Sequence, residues 1–295
     1  MFKQVIVGVD QHQGGRDAIT LAKLLVASDG ELTLAHVYLG DPTLTRPSGG
    51  TFGAGERKRG RELLTAVRDE SGVDAKLLCT ASSSVGRGLH EVVEAQGADL
   101  LVVGSCQRSF IGRVLVGDDT RDALNGAPCA IAVAPFGYSQ HSAVTSEIGV
   151  GYNGSPESVH ALAVARQLAA EQGARVSAFE VVLLSAYPFG PDSGPVDTAI
   201  SAFVDQARAR IAALGDIEPH AGYGGAAEEL ALYGASVDLL IVGSRGYGPI
   251  GRLVHGSTSQ RLTRIARCPL LVLSRAAPQL NRGNESVVTA AAVDG

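Results

Sequence analysis

The feature that most constrains this chain is a repeat of itself. Asp99-Leu100-Leu101-Val102-Val103-Gly104-Ser105 recurs as Asp238-Leu239-Leu240-Ile241-Val242-Gly243-Ser244, an offset of 139 residues. At the same offset Ile111-Gly112-Arg113 recurs as Ile250-Gly251-Arg252, Gly117 as Gly256 and Cys129 as Cys268, with no gap. Near the start of each copy, Val7-Gly8-Val9-Asp10 answers Val150-Gly151-Tyr152-Asn153 at an offset of 143. Self-similarity over this length means two copies of one folding unit. A chain of 295 residues is also comfortable for two domains of about 150 residues, each able to bury its own core. The expected division is a first domain over 1–140, a second over 146–275, and an unpatterned tail over 276–295.

Within the first copy, short β-branched runs alternate with longer segments of helical period. The pattern predicts strand 4–9, helix 15–28, strand 31–37, helix 55–71, strand 75–80, helix 86–96, strand 99–104, helix 118–125 and strand 130–134. A run such as Leu100 to Val103 is apolar at every position, as expected when helices cover both faces of a parallel sheet. Right-handed crossovers then give an α/β fold of two tandem, doubly wound, five-stranded parallel sheets, Rossmann-like, with the ligand crevice beyond the strand carboxyl ends. The Gly- and Pro-rich segment 40–54 and its counterpart 186–197 read as mobile surface loops, and 136–146 as a short polar linker without functional weight.

Composition sets the kind of ligand. With a net charge of −5 and a pI near 5.8, the chain has no general field that would attract nucleic acid or an anionic membrane, so an anion must be held by a local site. The first strand-like run begins at Val5, which leaves no signal peptide to be read, and no apolar run approaches the roughly 20 residues of a membrane span. The four cysteines stand far apart, without metal-binding or disulfide-scaffold spacing, so a reducing cytoplasm is expected.

The local site lies in the second copy. Gly243-Ser244-Arg245-Gly246 is followed by nine residues and then Gly256-Ser257-Thr258. The first glycines let the main chain turn at a strand end and approach a ligand closely. Gly256 precedes a helix whose free N–H groups and positive end suit phosphate. Ser257 and Thr258 add hydroxyl donors and Arg245 a charge-assisted one. The same residues can make a plain tight turn with a capping serine; the joint occurrence of spacing, hydroxyl pair and preceding buried strand favours phosphate. Gly-Lys-Ser/Thr is missing, so this is no P-loop.

This spacing resembles the nucleotide-binding signature of the ATP-binding branch of the universal stress protein family. Val5-Ile6-Val7-Gly8-Val9-Asp10, Leu34-Ala35-His36-Val37 and Gly126-Ala127-Pro128-Cys129-Ala130-Ile131-Ala132-Val133-Ala134-Pro135 are also similar to family patterns. The resemblance implies ATP, with Mg2+, as ligand. Asn153 and the Val181 main chain would then lie near adenosine, with Gly243, Arg245, Gly246, Gly256, Ser257 and Thr258 at the phosphates. It further implies a nucleotide-dependent stress regulator rather than an efficient enzyme. Family members dimerise through the last strand, which here implies an intrachain pseudo-dimer through 130–134 and 270–273 and leaves a homodimer of whole chains open. A slow ATPase or adenylyl transferase, and a nucleotide-free scaffold, are the alternatives. One departure is Asn153, where the family has Asp.

The first copy keeps the spacing and loses the chemistry: it reads Gly104-Ser105-Cys106-Gln107, then nine residues, then Gly117-Asp118-Asp119-Thr120. Gln at a left-handed position costs about 1–2 kcal/mol relative to Gly. Two carboxylates would face the triphosphate, each unit-charge pair at about 4 Å repelling by about 1 kcal/mol in water and about 4 at intermediate dielectric. One nucleotide per chain is therefore expected. His36, His90, His255 and Cys106 have no spacing to a partner that suggests chemistry, and the basic run Glu56 to Arg61 reads as a solvated helix start.

Overall fold

A computed structural model describes residues 1–40, 50–105, 123–140, 145–183, 196–244 and 257–273. The first half supplies β1 (Phe2–Gly8), α1 (Gln13–Leu25), β2 (Val26–Leu39), α2 (Gly50–Ser71), β3 (Lys76–Ser82), α3 (Val85–Gln96), β4 (Leu100–Gly104) and β5 (Ala130–Ala134). The second supplies β6 (Glu147–Gly151), α4 (Pro156–Gln172), β7 (Arg175–Val182), α5 (Val196–Ala212), β8 (Glu218–Tyr223), α6 (Ala226–Tyr233), β9 (Leu239–Gly243), α7 (Ser257–Ile265) and β10 (Leu270–Leu273).

Each half is a doubly wound, five-stranded parallel sheet, and the two sheets are continuous. The strand order is β3-β2-β1-β4-β5-β10-β9-β6-β7-β8. The joint is antiparallel, with Leu270 opposite Val133, Leu271 opposite Ala132 and Val272 opposite Ile131. All of these residues are fully buried, so the seam is made of apolar strands that leave no free edge at the centre. Helices α1, α2, α4 and α5 pack one face and α3 and α6 with α7 the other, in two apolar layers that each run through both halves.

The repeated Asp before β4 and β9 has a local physical cause. Asp99 accepts hydrogen bonds from the main-chain N–H groups of Lys3 and Gln4 at 2.9 and 3.0 Å, and Asp238 accepts from Ser146 and Glu147 at 2.7 and 2.9 Å. Each carboxylate closes the otherwise open amino end of the neighbouring central strand, β1 or β6. In the second half the chain also carries its own punctuation: Ser155 accepts from the Ser158 N–H at 3.3 Å, Pro156 opens α4, and Gly173 ends it at φ 68°.

Several boundaries differ from the sequence expectation. Helix α1 stops at Leu25 and Val26 already has extended dihedrals. Strand β2 is correspondingly long and pairs irregularly, Phe2 with Val26 but Gln4 with Glu31. β-branched Val26 can start the edge of the sheet as readily as extend the helix, and tertiary pairing decides. Gly53, expected in a loop, lies in α2, and Val196 and Asp197 begin α5; residues 41–49 and 184–195 lie outside the described residues.

The segment after β5 is more than a polar connector. Gly137 adopts φ 80°, Tyr138–Gln140 form a 3-10 turn, and the carboxylate of fully buried Asp17 in α1 accepts from the N–H groups of Gly137 and Ser139, both at 2.8 Å. A buried carboxylate is tolerable only when donors surround it, and this segment supplies them. Residues 141–144 lie outside the described residues.

Candidate functional site

In the second half, β6 lies between β9 and β7 in the sheet. The chain leaves β6 towards β7 on one side and later returns to β9 on the other. This reversal opens a crevice at the carboxyl ends of β6 and β9, the usual ligand position of an open α/β sheet. Asn153 follows β6, Val181 is near the end of β7, and Gly243 closes β9. Three adjacent strands therefore bring three of the sequence-picked residues to one edge. Ser257 and Thr258 form the first turn of α7, where main-chain N–H groups have no helical acceptor. Arg245, Gly246 and Gly256 lie outside the described residues.

The glycine at the end of β9 is required by close approach. A Cβ on Gly243 would stand 2.7 Å from the main chain of Glu157 in the first turn of α4. Its counterpart Gly104 is tighter still, with such an atom 2.0 Å from the carbonyl oxygen of Gly14 in α1. In both halves the helix after the first strand is thus seated directly against the end of the fourth, which fixes the floor of the crevice.

Asn153 and Asp10 do the same local work. The Asn153 Oδ1 accepts from the Ser155 N–H at 3.1 Å, as the Asp10 Oδ1 accepts from the His12 N–H at 2.9 Å. Each closes a side-chain turn between strand and helix. With its oxygen so engaged, exposed Asn153 offers its amide NH2 as donor, where Asp10 would offer only a second acceptor oxygen. The change from Asp to Asn preserves the turn and reverses the hydrogen-bonding sense of the free end.

The two halves also differ at a residue they share. Ser105 and Ser244 are both buried, at 3% and 1% exposure. Their N–H groups make matching bonds of 2.9 Å across to Ala134 and Leu273. The Ser105 hydroxyl adds a second bond to the Ala134 carbonyl at 2.8 Å. The Ser244 hydroxyl is buried with no hydrogen-bond partner among the described residues. An unsatisfied buried hydroxyl is costly, and this one sits at the end of β9, on the floor of the crevice. Sequence reasoning passed over it because the two serines are identical.

The other candidates fall into structural roles. His36 Nδ1–H donates to the Val9 carbonyl at 2.8 Å, and His90 Nε2 lies 2.7 Å from the Ala123 carbonyl oxygen. Cys129 and Cys268 are buried, and burial pushes each thiol up to about 12. Helix α2 carries Arg57 to Arg61, with Arg59 paired to Glu56 at 2.6 Å. His255 and Cys106 lie outside the described residues. Among the described residues there is no group of three or more His, Cys, Asp or Glu side chains arranged to hold a metal ion, and no helix long and apolar enough to cross a membrane.

Comparison with known proteins agrees with this geometry. Residues 1–135 and 145–274 each match the model of the universal stress protein family. Among curated relatives, universal stress protein Rv2005c of Mycobacterium tuberculosis is 27% identical over 267 residues, covering 82% of this chain and 86% of that one. Universal stress protein Rv2319c of the same organism is 27% identical over 215 residues, covering 68% and 73%. The crystal structure of a universal stress protein from Archaeoglobus fulgidus superposes with a TM-score of 0.66 at 16% identity, covering 92% of this chain and 98% of that one, which shows a shared fold. The repeat, the paired five-stranded sheets and the two matched segments lead to one statement: this chain belongs to the universal stress protein family and carries one such domain in each half.

Proposed function

We propose that the chain is a nucleotide-dependent regulator that holds ATP, with Mg2+, in the crevice of its second half. The observation that carries this reading is the contrast between the two serines. In the first half the hydroxyl at the end of β4 is closed onto the sheet, whereas in the second half the equivalent Ser244 hydroxyl is buried and has no hydrogen-bond partner among the described residues. A phosphate oxygen or its bridging water would satisfy it. The first turn of α7, at Ser257 and Thr258, would hold a phosphate through main-chain N–H groups. Arg245, Gly246 and Gly256 would complete the loop. Asn153 and the Val181 main chain would meet the adenosine. The first half, with Asp118 and Asp119 in the corresponding loop, would act as a structural partner. Free buried thiols at Cys129 and Cys268 suit a reducing cytoplasm.

The test is calorimetric titration of the nucleotide-free chain with ATP and magnesium, with nucleotide identity followed by chromatography for several hours. The expected result is one site per chain, ATP recovered intact, and loss of binding in Gly246→Val. Two equal sites would overturn the assignment to the second half. Conversion to ADP would replace the switch by a slow ATPase, and no binding at millimolar nucleotide would leave a scaffold.

A further inference from the structure

Joining the two halves at β5 and β10 leaves the sheet with β3 as its outer strand in the first half and β8 in the second. An outer strand turns the N–H and C=O of every second residue away from the sheet, where another strand can pair with them. The direction is fixed at both edges. The Gly40 N–H donates to the Ser82 carbonyl at 3.1 Å, and the Gly224 N–H donates to the Val182 carbonyl at 3.3 Å, so Ser82 and Gly224 face inward. Alternation along each strand then leaves Leu77, Cys79 and Ala81 facing outward on β3, and Pro219, Ala221 and Tyr223 on β8.

The two edges occupy the same place in the repeat. Val7 pairs with Leu34 and Leu34 with Leu77, while its counterpart Val150 pairs with Ala178 and Ala178 with Pro219. Leu77 is therefore the equivalent of Pro219. A proline at an outward position offers no N–H to an approaching strand and is a usual guard of a sheet edge. The first half lacks this guard. Its edge strand, Lys76 to Ser82, contains neither Pro nor Gly and keeps unbroken register with β2 from Lys76 to Ser82. Its one charge, Lys76, stands at the end and is paired to Glu31 at 2.7 Å.

This strand is complementary to itself. In an antiparallel pairing centred on Cys79, Cys79 lies opposite Cys79 of the partner subunit and Leu77 opposite Ala81 of the partner subunit. All face outward, so each pair exchanges two hydrogen bonds. Lys76 falls opposite Ser82 of the partner subunit, and no like charges meet across the pair. On the flanking helix α2, Lys58 and Arg59 are paired within the helix to Glu62 and Glu56 at 3.9 and 2.6 Å. Such a joint repeats the geometry of the β5–β10 seam, an antiparallel contact between two parallel sheets, and extends the same sheet from one chain into the next.

We propose that the open edge of β3 is a self-association surface, at which two copies of the chain pair β3 to β3 about a two-fold axis through Cys79. The guarded edge of β8 closes the assembly at a dimer of chains rather than a filament. The proposal is independent of nucleotide binding.

The test is sedimentation equilibrium of the full chain and of three proline variants. Leu77→Pro gives β3 the residue that its counterpart already has, and Ala81→Pro removes a second outward N–H; neither deletes a bond to β2. Ala221→Pro does the same on β8 as a control. The expected result is a concentration-dependent dimer, weakened at least tenfold in Leu77→Pro and Ala81→Pro and less than twofold in Ala221→Pro. In the wild type, amide exchange at Leu77, Cys79 and Ala81 should slow as concentration rises, while Ala221 and Tyr223 stay unchanged. A chain that remains monomeric at about 100 μM, a dimer weakened equally by Ala221→Pro, or concentration-dependent protection that spares β3 would each overturn the proposal.

Discussion

Asp17 and Ser139 are joined twice: one carboxylate oxygen accepts from the Ser139 N–H at 2.8 Å and from its hydroxyl at 2.7 Å. The other oxygen accepts from Gly137 at 2.8 Å. These bonds pin the start of the connecting segment onto the first-half helix α1. Replacing Asp17 with Ala leaves the buried Gly137 N–H and the part-buried Ser139 N–H and hydroxyl without their acceptor, and should destabilise the chain by about 2–5 kcal/mol. Urea unfolding reads the loss, and amide exchange should accelerate first at residues 137–140.

The paired serines give a signed comparison. Ser105→Ala removes a satisfied bond to Ala134 and should cost about 0.5–1.5 kcal/mol. Ser244→Ala removes a hydroxyl that has no partner among the described residues and should leave the nucleotide-free chain as stable or stabler. The same substitution should weaken ATP. Thermal unfolding of both variants with and without ATP separates the two effects, and a Ser244→Ala chain that loses stability without nucleotide would count against the open hydroxyl.

Alanine at the glycines that end β4 and β9 should strain both crevices, and unequally. At Gly104 the added carbon would meet the Gly14 carbonyl at 2.0 Å, and at Gly243 the Glu157 main chain at 2.7 Å. Overpacking of this kind costs about 1–3 kcal/mol, with the greater loss expected at Gly104. Only Gly243→Ala should also reduce nucleotide affinity, because α4 would be pushed away from the end of β9. Chemical denaturation paired with ATP titration reads both.

Buried Cys129 and Cys268 make stability fall in alkali. Burial pushes each folded thiol up to about 12, against about 8.5 in an unfolded chain. Below the unfolded value both states hold the proton and the contribution is complete. As pH rises past it, the unfolded chain releases protons that the folded chain keeps, so stability declines until the folded value is reached. The double variant Cys129→Ala/Cys268→Ala should show a shallower decline between pH 9 and 12 in denaturant titrations. Neither thiol should react with iodoacetamide at pH 8 while the chain is folded.

Legibility followed the range of the interactions. Leu100 to Val103 and Leu239 to Val242 declared buried parallel strands because covering both faces demands apolar residues throughout. The repeat then located Asn153, Gly243 and Thr258 near one sheet edge or helix end. Asp17 was hidden because its partner is 122 residues away; a lone acid beside Ala18, Ile19 and Leu21 on a buried helix face was the available signal. The end of α1 was misjudged because Val26 pairs with Phe2 of β1, and a helix-period pattern cannot register competition from a neighbouring strand.

The antiparallel seam of β5 and β10 has a consequence beyond shape. Because both strands belong to one chain, their meeting is intramolecular and does not weaken on dilution, whereas separate subunits would come apart as their concentration fell. Each half is thereby guaranteed its complement in a fixed one-to-one ratio. A copy in that position can drift away from ligand chemistry and still be retained for the surface it gives its sibling, which is a freedom that two identical, exchangeable subunits could not have.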